Sequence, residues 1–424
     1  MSSTPQQNST GLVGIRARRL LDVRSGAYRD DAVIGVRGDR IESVGAPLPE
    51  GTPVFELGDR VLLPGLIDCH THMFLQGARY LPDFPYQLVQ EHRSHRVARA
   101  IRSMRIALDH GFTAARDMGT EGATYDDVGV RNAINEGVVP GPRMHVAGPA
   151  MSSTGTYSVS GWRDDWKYPS GVIVADGVEA CRKAVREQMA YKLEWIKVYA
   201  NDGPGQRLTD DGYIDSAPNW TLDEFRAIVD EAHSRGARVA SHATSDSGAA
   251  MAVDAGVDSI EHGFSVRPEL AERMAGAGIY LCPMNMPTDF VAEVRARERT
   301  PLWAHTPSIQ ERSMRNCLAA GVKVLFGTDA GCAPWTEVNE TEEFGYLVRY
   351  GMSPIDAIRS ATSLAADFLR IDAGALEAGR LADIVAVAGD PLADPSVLGT
   401  IDFVMKGGSA HRLPGDDGRV LAGK

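Results

Sequence analysis

Two histidines separated by a single residue, His70 and His72, end an apolar segment that begins at Val61. Residues two apart on a β-strand point to the same face, so both imidazoles would lie side by side at the end of a buried strand. Neutral imidazole is a common protein ligand for zinc and similar metals. The pair therefore suggests a metal site, although two hydrogen-bonded core histidines would give the same pattern.

Four more polar residues occur within or at the ends of other short apolar runs. These residues are Lys197, His242, His262 and Asp329. A lysine in the middle of a buried strand is costly unless it has a partner, so Lys197 in particular needs an explanation. Each of the six residues taken alone is easily read as structural, but six at equivalent positions predict a shared site.

The elements that would bring these residues together are eight short apolar runs, each followed by a helix-like stretch. The runs are Val61–Ile67, Phe112–Met118, Met144–Pro149, Trp195–Ala200, Arg238–Ala243, Asp258–Gly263, Ile279–Met284 and Lys323–Thr328. Strands that alternate with helices indicate an α/β fold with a parallel sheet, and eight such units predict a closed (β/α)8 TIM barrel over residues 61–373. Functional groups in such barrels lie where the strands end, which would place all six residues at one rim.

The two ends of the chain have a different character. Short apolar stretches separated by turns fill residues 11–60, and strand-like patterns return over 374–415. We expect these two segments to pair into one small β-sandwich domain, and residues before 11 to form a disordered tail. Helix signals between the ends include a capping box at Thr221–Glu224 and an N-cap with a first-turn proline at Ser353-Pro354.

Composition narrows the classes of partner. The 424 residues include 44 Lys and Arg against 56 Asp and Glu, a net charge of −12 without a basic stripe, which argues against nucleic acid or an anionic membrane as partner. No apolar run approaches the roughly 20 residues that span a bilayer, and the first residues lack a signal-peptide pattern, so a cytoplasmic location is expected. Five scattered cysteines suggest no disulfide framework.

The segment Pro64-Gly-Leu-Ile-Asp-Cys-His-Thr-His72, together with the lysine, the two later histidines and the aspartate, resembles the signature of the amidohydrolase superfamily. The resemblance covers nearly the whole chain, including the return strand at 379–387. Segments 195–199 and 147–150 further resemble the prolidase-like hydrolases related to imidazolonepropionase, a group that includes Xaa-Pro dipeptidases, N-acyl amino acid carboxypeptidases and ochratoxin-degrading amidases. The chain departs from many relatives at 153–157, which reads Ser-Thr-Gly-Thr-Tyr where they have a Gly-Gly-His turn.

This resemblance implies two divalent metal ions, with zinc expected, and a CO2-derived carbamate on Lys197 that bridges them. It implies that Asp329 shares one metal with the two histidines of the first strand, and that it takes a proton from a bridging hydroxide and passes it to the departing amine. The implied ligands are His70, His72 and Asp329 for one metal, His242 and His262 for the other, and Lys197 for both.

Substrate contacts are predicted around the same rim. Tyr199 shares the strand face of Lys197 and could hydrogen-bond a substrate carbonyl, with plain barrel packing as the alternative. Ser153 and Tyr157 lie in a predicted loop at the mouth, and the loop over 201–219 has the length of a lid. Asp68 could orient a ligand histidine or be an ordinary core aspartate. Four other histidines are predicted to be structural, three on helices and one early in the third strand: His92, His95, His233 and His145.

The predicted function is a binuclear metal-dependent amidohydrolase that cleaves the amide bond of a small substrate, such as an Xaa-Pro dipeptide, an N-acyl amino acid or an ochratoxin-like amide. Assembly into a homo-oligomer is expected, as in many relatives. One alternative is a mononuclear cyclic-amide hydrolase or deaminase of the same superfamily, resembling imidazolonepropionase. Those relatives usually lack the lysine and often carry glutamate where Ser245 stands. Another is a catalytically inactive structural relative, which would have lost ligands that this chain retains.

Overall fold

A computed structural model describes residues 11–77, 83–157, 165, 169–201, 205–298 and 301–415, so the predicted tail before residue 11 lies outside the described chain. Strands alternate with helices over most of this length. The strands are β1 (Leu12–Asp22), β2 (Ala27–Arg37), β3 (Arg40–Val44), β4 (Val54–Glu56), β5 (Arg60–Pro64), β6 (Leu66–Thr71), β7 (Phe112–Asp117), β8 (Arg143–Val146), β9 (Met151–Ser152), β10 (Ile173–Val174), β11 (Trp195–Tyr199), β12 (Arg207–Leu208), β13 (Ile214–Asp215), β14 (Arg238–Ala243), β15 (Ser259–His262), β16 (Tyr280–Cys282), β17 (Ile384–Ala388), β18 (Phe403–Lys406) and β19 (Ser409–Arg412). The α-helices are α1 (Asp83–Val89), α2 (Arg93–Asp109), α3 (Asp126–Asn135), α4 (Val178–Met189), α5 (Leu222–Ser234), α6 (Asp246–Ala255), α7 (Pro268–Ala277), α8 (Asn285–Glu298), α9 (Thr306–Ala319), α10 (Glu343–Arg349), α11 (Pro354–Ser360) and α12 (Ser363–Leu369). Short 3-10 helices occur at Pro301–His305, Glu340–Glu342 and Pro395–Thr400.

Strands from both ends of the described chain join one sheet. Its order is β19-β18-β17-β5-β1-β2-β3, with β4 paired beside β1. Strand β5 lies between the two ends, parallel to β1 and antiparallel to β17. Apolar side chains of these strands, such as Ile15, Ile34 and Phe403, share a buried cluster of their own. The two ends therefore pair as expected, whereas the two-layered sandwich and its domain boundaries stay predictions.

The first apolar run, 61–67, is not the single barrel strand predicted. Its first part belongs to β5 of the terminal sheet and its last part to β6, with Gly65 between them. A Cβ atom at Gly65 would lie 2.2 Å from the Thr113 hydroxyl oxygen, so no larger residue fits this crossing without a shift. The chain thus passes through one glycine from the terminal sheet into the strand that carries His70.

The strands that carry the other candidate residues lie in two parallel sheets. One has the order β6-β7-β8, and the other β10-β9-β11-β14-β15-β16. The eighth predicted run, 323–328, forms an isolated bridge in place of a full strand. Its backbone still bonds to both sheets, because Leu325 N donates to Leu281 O of β16 and Phe326 O accepts from Cys69 N of β6. The α/β architecture is therefore as predicted, and closure into one continuous barrel stays a prediction.

Local signals explain where the helices begin. Thr221 accepts a hydrogen bond from Glu224 N, and the Glu224 carboxylate accepts one from Thr221 N, which is the predicted capping box of α5. Ser353 caps α11, as expected, and this helix ends at Ser360, shortly before α12 begins at Ser363. Among the described residues, no helix combines the length and hydropathy that a bilayer-spanning segment needs.

Candidate metal centre

The ends of β6 and β11 and the segment after the eighth run meet in the protein interior. His70 Nε2 lies 3.5 Å from Lys197 Nζ and 3.6 Å from Asp329 Oδ1, and His72 Nε2 lies 3.2 Å from the same aspartate oxygen. All four residues are buried. Lys197 therefore points inward among the predicted ligands, which supplies the partners that a buried lysine needs.

The histidines of β14 and β15 adjoin these groups. The ring centroids of His242 and His262 are 4.3 Å apart, and those of His262 and His70 are 5.3 Å apart. His262 and Asp329 both have positive φ angles, 70° and 50°, a region that residues other than glycine rarely adopt. The structure thus brings the six residues predicted as metal ligands together, five of them buried and His242 half-buried, and the backbone is strained at two of them.

A buried carboxylate orients the first histidine. Glu261 Oε2 lies 2.6 Å from His70 Nδ1, and Arg116 donates to Glu261 Oε1 at 2.8 Å. All three side chains are completely buried, and the guanidinium balances the charge of the carboxylate. This arrangement favours the tautomer with the proton on Nδ1, which leaves the lone pair of Nε2 directed toward Lys197 and Asp329.

Two neighbouring side chains, His72 and Asp68, form hydrogen bonds with main-chain atoms. His72 Nδ1 donates to Gly119 O at 2.9 Å, so its Nε2 also faces the centre. Asp68, which the sequence left open, accepts hydrogen bonds from His70 N, Thr328 N and the Thr328 hydroxyl. Asp68 therefore fixes the main chain on either side of the cluster, and Glu261 is the carboxylate on the ligand ring.

Burial sets the protonation states of the cluster. It lowers the pKa of His70, His242 and His262 well below the usual value, so these imidazoles are neutral, the form that binds metals. Burial also lowers the pKa of Lys197, which favours the neutral amine that can react with CO2. The pKa of Asp329 is raised by burial, but the hydrogen bond and charge of His72 outweigh this effect and hold it below its ordinary value.

The donor set fits a divalent metal. The donor atoms of His70, His72 and Asp329 all lie within 4.8 Å of one another, and imidazole with carboxylate suits zinc and its neighbours. A second group with the same spacing, His70 with Glu261 and Cys282, is less suited to a metal. Its carboxylate is already paired with an arginine, and burial raises the pKa of the Cys282 thiol well above its ordinary value.

Two predicted substrate contacts, Tyr199 and Tyr157, meet on a glutamate that the sequence interpretation missed. The Tyr199 hydroxyl donates to Glu121 Oε1 at 2.8 Å, and the Tyr157 hydroxyl donates to Glu121 Oε2. The two phenol rings are 4.8 Å apart, and the Tyr199 ring lies 4.7 Å from that of His242. These tyrosines thus border the metal ligands, and their role as substrate contacts stays a prediction.

Ser153, the third predicted substrate contact, lies in a loop next to them. Its hydroxyl donates to Asn219 O, and the Asn219 amide in turn donates to Tyr199 O at 3.1 Å. The segment predicted as a lid contains a short antiparallel hairpin, formed by β12 and β13. Residues 202–204 of that segment lie outside the described chain.

The four histidines predicted to be structural lie on or beside elements that carry none of the six predicted ligands. His95 and His233 lie in α2 and α5, His92 precedes α2, and His145 lies in β8. His233 Nε2 donates to Asp258 Oδ2 at 2.8 Å, an ordinary contact between a helix and the residue before a strand.

With this geometry established, comparison with known proteins identifies the fold family. The model of the amidohydrolase family matches residues 61–411. The chain belongs to the amidohydrolase family. This confirms the resemblance read from the sequence, and with it a hydrolase that acts on C–N bonds.

Individual relatives point to two kinds of activity. Ochratoxinase from Aspergillus niger is 30% identical over 380 residues, which cover 84% of this amidohydrolase and 76% of the relative. The crystal structure of a Xaa-Pro dipeptidase with bound methionine matches at a TM-score of 0.84 and 30% identity, covering 95% of this chain and 100% of that one. A prolidase solved with N-methylphosphonate-L-proline matches at 0.83 and 28% identity, with coverage of 95% and 100%.

Proposed function

We propose that this amidohydrolase holds two divalent metal ions and hydrolyses the amide or peptide bond of a small substrate. The observation that carries the proposal is the position of Lys197, which is buried with its Nζ 3.5 Å from His70 Nε2. Its charge also acts on the other three predicted histidine ligands and on the Asp329 carboxylate. A cation at this position would oppose the binding of metal ions, whereas a carbamate formed from the neutral amine and CO2 would be an anionic ligand. The lysine therefore favours a binuclear site over a mononuclear one.

The ligand assignment follows from the contacts. We assign His70, His72 and Asp329 to one ion because their donor atoms converge, and the adjacent His242 and His262 pair to the other. The carbamate on Lys197 would bridge the two. When bound, such ions polarise a scissile carbonyl and lower the pKa of water enough for it to attack at neutral pH.

Asp329 is the group that would move the proton. Its Oδ1 lies between the Nε2 atoms of His70 and His72, and its lowered pKa keeps it ionised and able to accept a proton. It would take a proton from the attacking water and return it to the amine nitrogen as the C–N bond breaks. The same carboxylate thus acts first as general base and then as general acid.

The substrate candidates come from the relatives and from the resemblance: Xaa-Pro dipeptides, N-acyl amino acids and ochratoxin-like amides. A hydrolysis screen of these three classes with the zinc-loaded protein, combined with metal analysis, tests the proposal. We expect two equivalents of metal per chain and turnover of at least one class. One equivalent per chain would instead support the mononuclear alternative. Size-exclusion chromatography with light scattering would test the expected homo-oligomer.

Substitution of Lys197 tests the bridge directly. Lys197→Ala should abolish nearly all turnover and reduce the metal content below two equivalents, because the bridging ligand is lost. Lys183→Ala is a matched control, since that lysine is exposed on α4, where it pairs with Glu187. Full activity with two bound metals in the Lys197 variant would refute the carbamate role.

A further inference from the structure

The strongest unassigned feature beside the metal centre is the guanidinium of Arg295, in the last turn of α8. Its Nη2 donates to Cys332 Sγ at 3.1 Å, and its Cζ lies 4.6 Å from the centroid of the Trp303 ring. The residue is half-buried, and among the described residues no carboxylate forms an ion pair with it. Its two described contacts, a thiol and an indole ring, therefore leave the positive charge without a counter-charge.

The thiol that contacts Arg295 adjoins the proposed proton carrier, Asp329. Cys332 N donates to Asp329 O at 2.9 Å, so the segment after Asp329 folds into a turn. The charges of Arg295 and Asp329 both act on the Cys332 thiol, in opposite directions. The turn is tightly packed, because a Cβ atom added to Gly77 would lie 1.8 Å from Cys332 O. The partner of Arg295 is therefore held in a fixed position beside the Asp329 carboxylate.

Aromatic rings connect the other side of Arg295 to the histidines. The Trp303 ring lies 6.0 Å from that of Phe264, and the Phe264 ring lies 5.4 Å from that of His262, both measured between centroids. The charge of Arg295 also acts on His242. The guanidinium thus adjoins residues proposed to bind each of the two ions.

The chemistry of this side chain decides what it can bind. A guanidinium has five N–H donors in a planar fork and no acceptor, and a carboxylate matches that fork with two parallel hydrogen bonds. An Xaa-Pro dipeptide and an N-acyl amino acid both have a free carboxylate on the carbon next to the amide nitrogen. That nitrogen and the carboxylate carbon are two bonds apart, so the group that protonates the nitrogen and the group that binds the carboxylate must be neighbours. Asp329 and Arg295 meet this requirement.

We propose that Arg295 binds the free carboxylate on the amine side of the scissile amide bond. This inference rests on the proposed hydrolysis of a small amide and narrows its substrate class to N-acyl amino acids in the wide sense, dipeptides included. With the carboxylate bound to Arg295, the amine nitrogen lies on the side of Asp329, which returns the proton to it. Amides of simple amines lack the anion and are disfavoured.

Two matched pairs of substrates test the subsite with the zinc-loaded full-length protein. Leucyl-proline is compared with leucyl-pyrrolidide, and N-acetyl-L-phenylalanine with N-acetylphenethylamine, because each analogue differs from its acid only by the missing carboxylate. In the pair that is hydrolysed, loss of a charge-assisted hydrogen bond should lower kcat/KM by at least about tenfold for the analogue. Arg295→Met should lower kcat/KM for the acid by a similar factor, mainly through KM, and change that of the analogue by less than about threefold.

Two further variants serve as controls. Arg297→Met should change neither value, because Arg297 lies in the same turn of α8 with its side chain 64% exposed and pairs with Glu293. Arg295→Lys keeps the positive charge but not the fork, so it should lower kcat/KM for the acid alone, and by less than Arg295→Met does. The lysine variant decides the question if the methionine variant does not fold.

Two results would overturn the subsite: equal kcat/KM for acid and analogue in the unsubstituted protein, or an equal loss for both in the Arg295 variants. A binding measurement separates this inference from the proposed reaction. Calorimetry should show that the affinity for L-phenylalanine falls about tenfold in Arg295→Met, whereas that for phenethylamine does not change. If no amide is hydrolysed but this dependence remains, the reaction is wrong and the subsite stands. If hydrolysis occurs without any dependence on Arg295, the subsite is wrong and the reaction stands.

Discussion

Replacement of Glu261 by glutamine tests whether this carboxylate orients His70, one of the residues proposed to bind metal. Glu261 joins the His70 ring to the guanidinium of Arg116 at distances of 2.6 and 2.8 Å, and none of the three side chains is exposed to solvent. Glutamine preserves the shape but removes the charge. Arg116 would then remain a buried cation without its counter-charge, and the new amide could turn its NH2 group toward His70 Nδ1.

The expected magnitudes follow from these contacts. Removing one partner of a buried ion pair costs about 3–5 kcal/mol, so the free energy of unfolding of the metal-free protein should fall by that amount. Loss of the carboxylate that orients a ligand histidine weakens metal binding roughly 10–100-fold, so the zinc affinity should fall by that factor. The first effect comes from Arg116 and the second from His70.

Urea unfolding of the metal-free proteins and zinc titration against a competing chelator measure the two effects separately. Glu194→Gln is the matched control, because Glu194 also pairs with an arginine, Arg131, at 2.8 Å, but its side chain is 38% exposed. Its substitution should cost less than about 1 kcal/mol and leave zinc affinity unchanged. Unaltered zinc affinity in Glu261→Gln would refute the orienting role, and unaltered stability would refute the role assigned to the buried pair.

Three further changes test other parts of the structure. Gly327→Ala would place a Cβ atom 3.0 Å from His70 Cβ and 2.4 Å from a buried sulfur, so denaturant titration should show a loss of about 1–3 kcal/mol, with weaker zinc binding in the chelator assay. Tyr199→Phe removes the phenol oxygen that donates to Glu121 Oε1 and should lower kcat/KM for the amide that the protein hydrolyses by about tenfold, whereas an unchanged kcat/KM would mean that the ring only packs. The hydrogen bond to Asp258 raises the pKa of His233. The stability from this pair is therefore fully present below the unfolded pKa of about 6.5 and is lost as pH rises through the folded pKa. Urea titrations should accordingly show a larger cost of His233→Gln at pH 5.5 than at pH 8.5, and equal costs would contradict the assignment.

The positions of the six residues proposed as metal ligands could be predicted from two simple rules. Alternation along a strand puts His70 and His72 on one face, and the barrel rule brings the ends of distant parallel strands to one rim. Neither inference needs knowledge of side-chain contacts. The burial of Lys197 could be predicted in the same way, because its neighbours along the strand are apolar or aromatic, as in a strand covered on both faces.

The residues that support and extend the site escaped the same reasoning. Glu261 directly precedes His262, so the alternation of side chains along a strand predicts that the two point to opposite faces. In the structure both lie next to His70. His262, at the end of the strand, has a φ angle of 70° and so departs from regular strand geometry. Glu121 lies in a turn without periodicity, and its partners Tyr157 and Tyr199 are distant in sequence. Only the folded chain shows these contacts.

The α/β architecture could be predicted from the sequence, but the boundaries of some strands could not. Continuous apolar character made residues 61–67 look like one strand, although Gly65 permits a crossing that divides them between two sheets. The run at 323–328 looks like the other predicted strands, but it pairs with its neighbours through isolated backbone hydrogen bonds and not through a continuous ladder. Directly after it the chain leaves the extended conformation, with a φ angle of 50° at Asp329.

The place of β5 in the terminal sheet also constrains the order in which the newly made chain can fold. One edge of β5 pairs with β1, which leaves the ribosome early, while the other edge waits for β17, near the far end of the chain. Before β17 has been made, β5 with its apolar residues Leu62 and Leu63 has an unpaired edge, and such edges can associate with other chains. A stalled nascent chain should resist protease only after Ala388 has emerged. The terminal sheet, from which the chain passes through Gly65 into the strand that carries His70, is therefore completed late in synthesis.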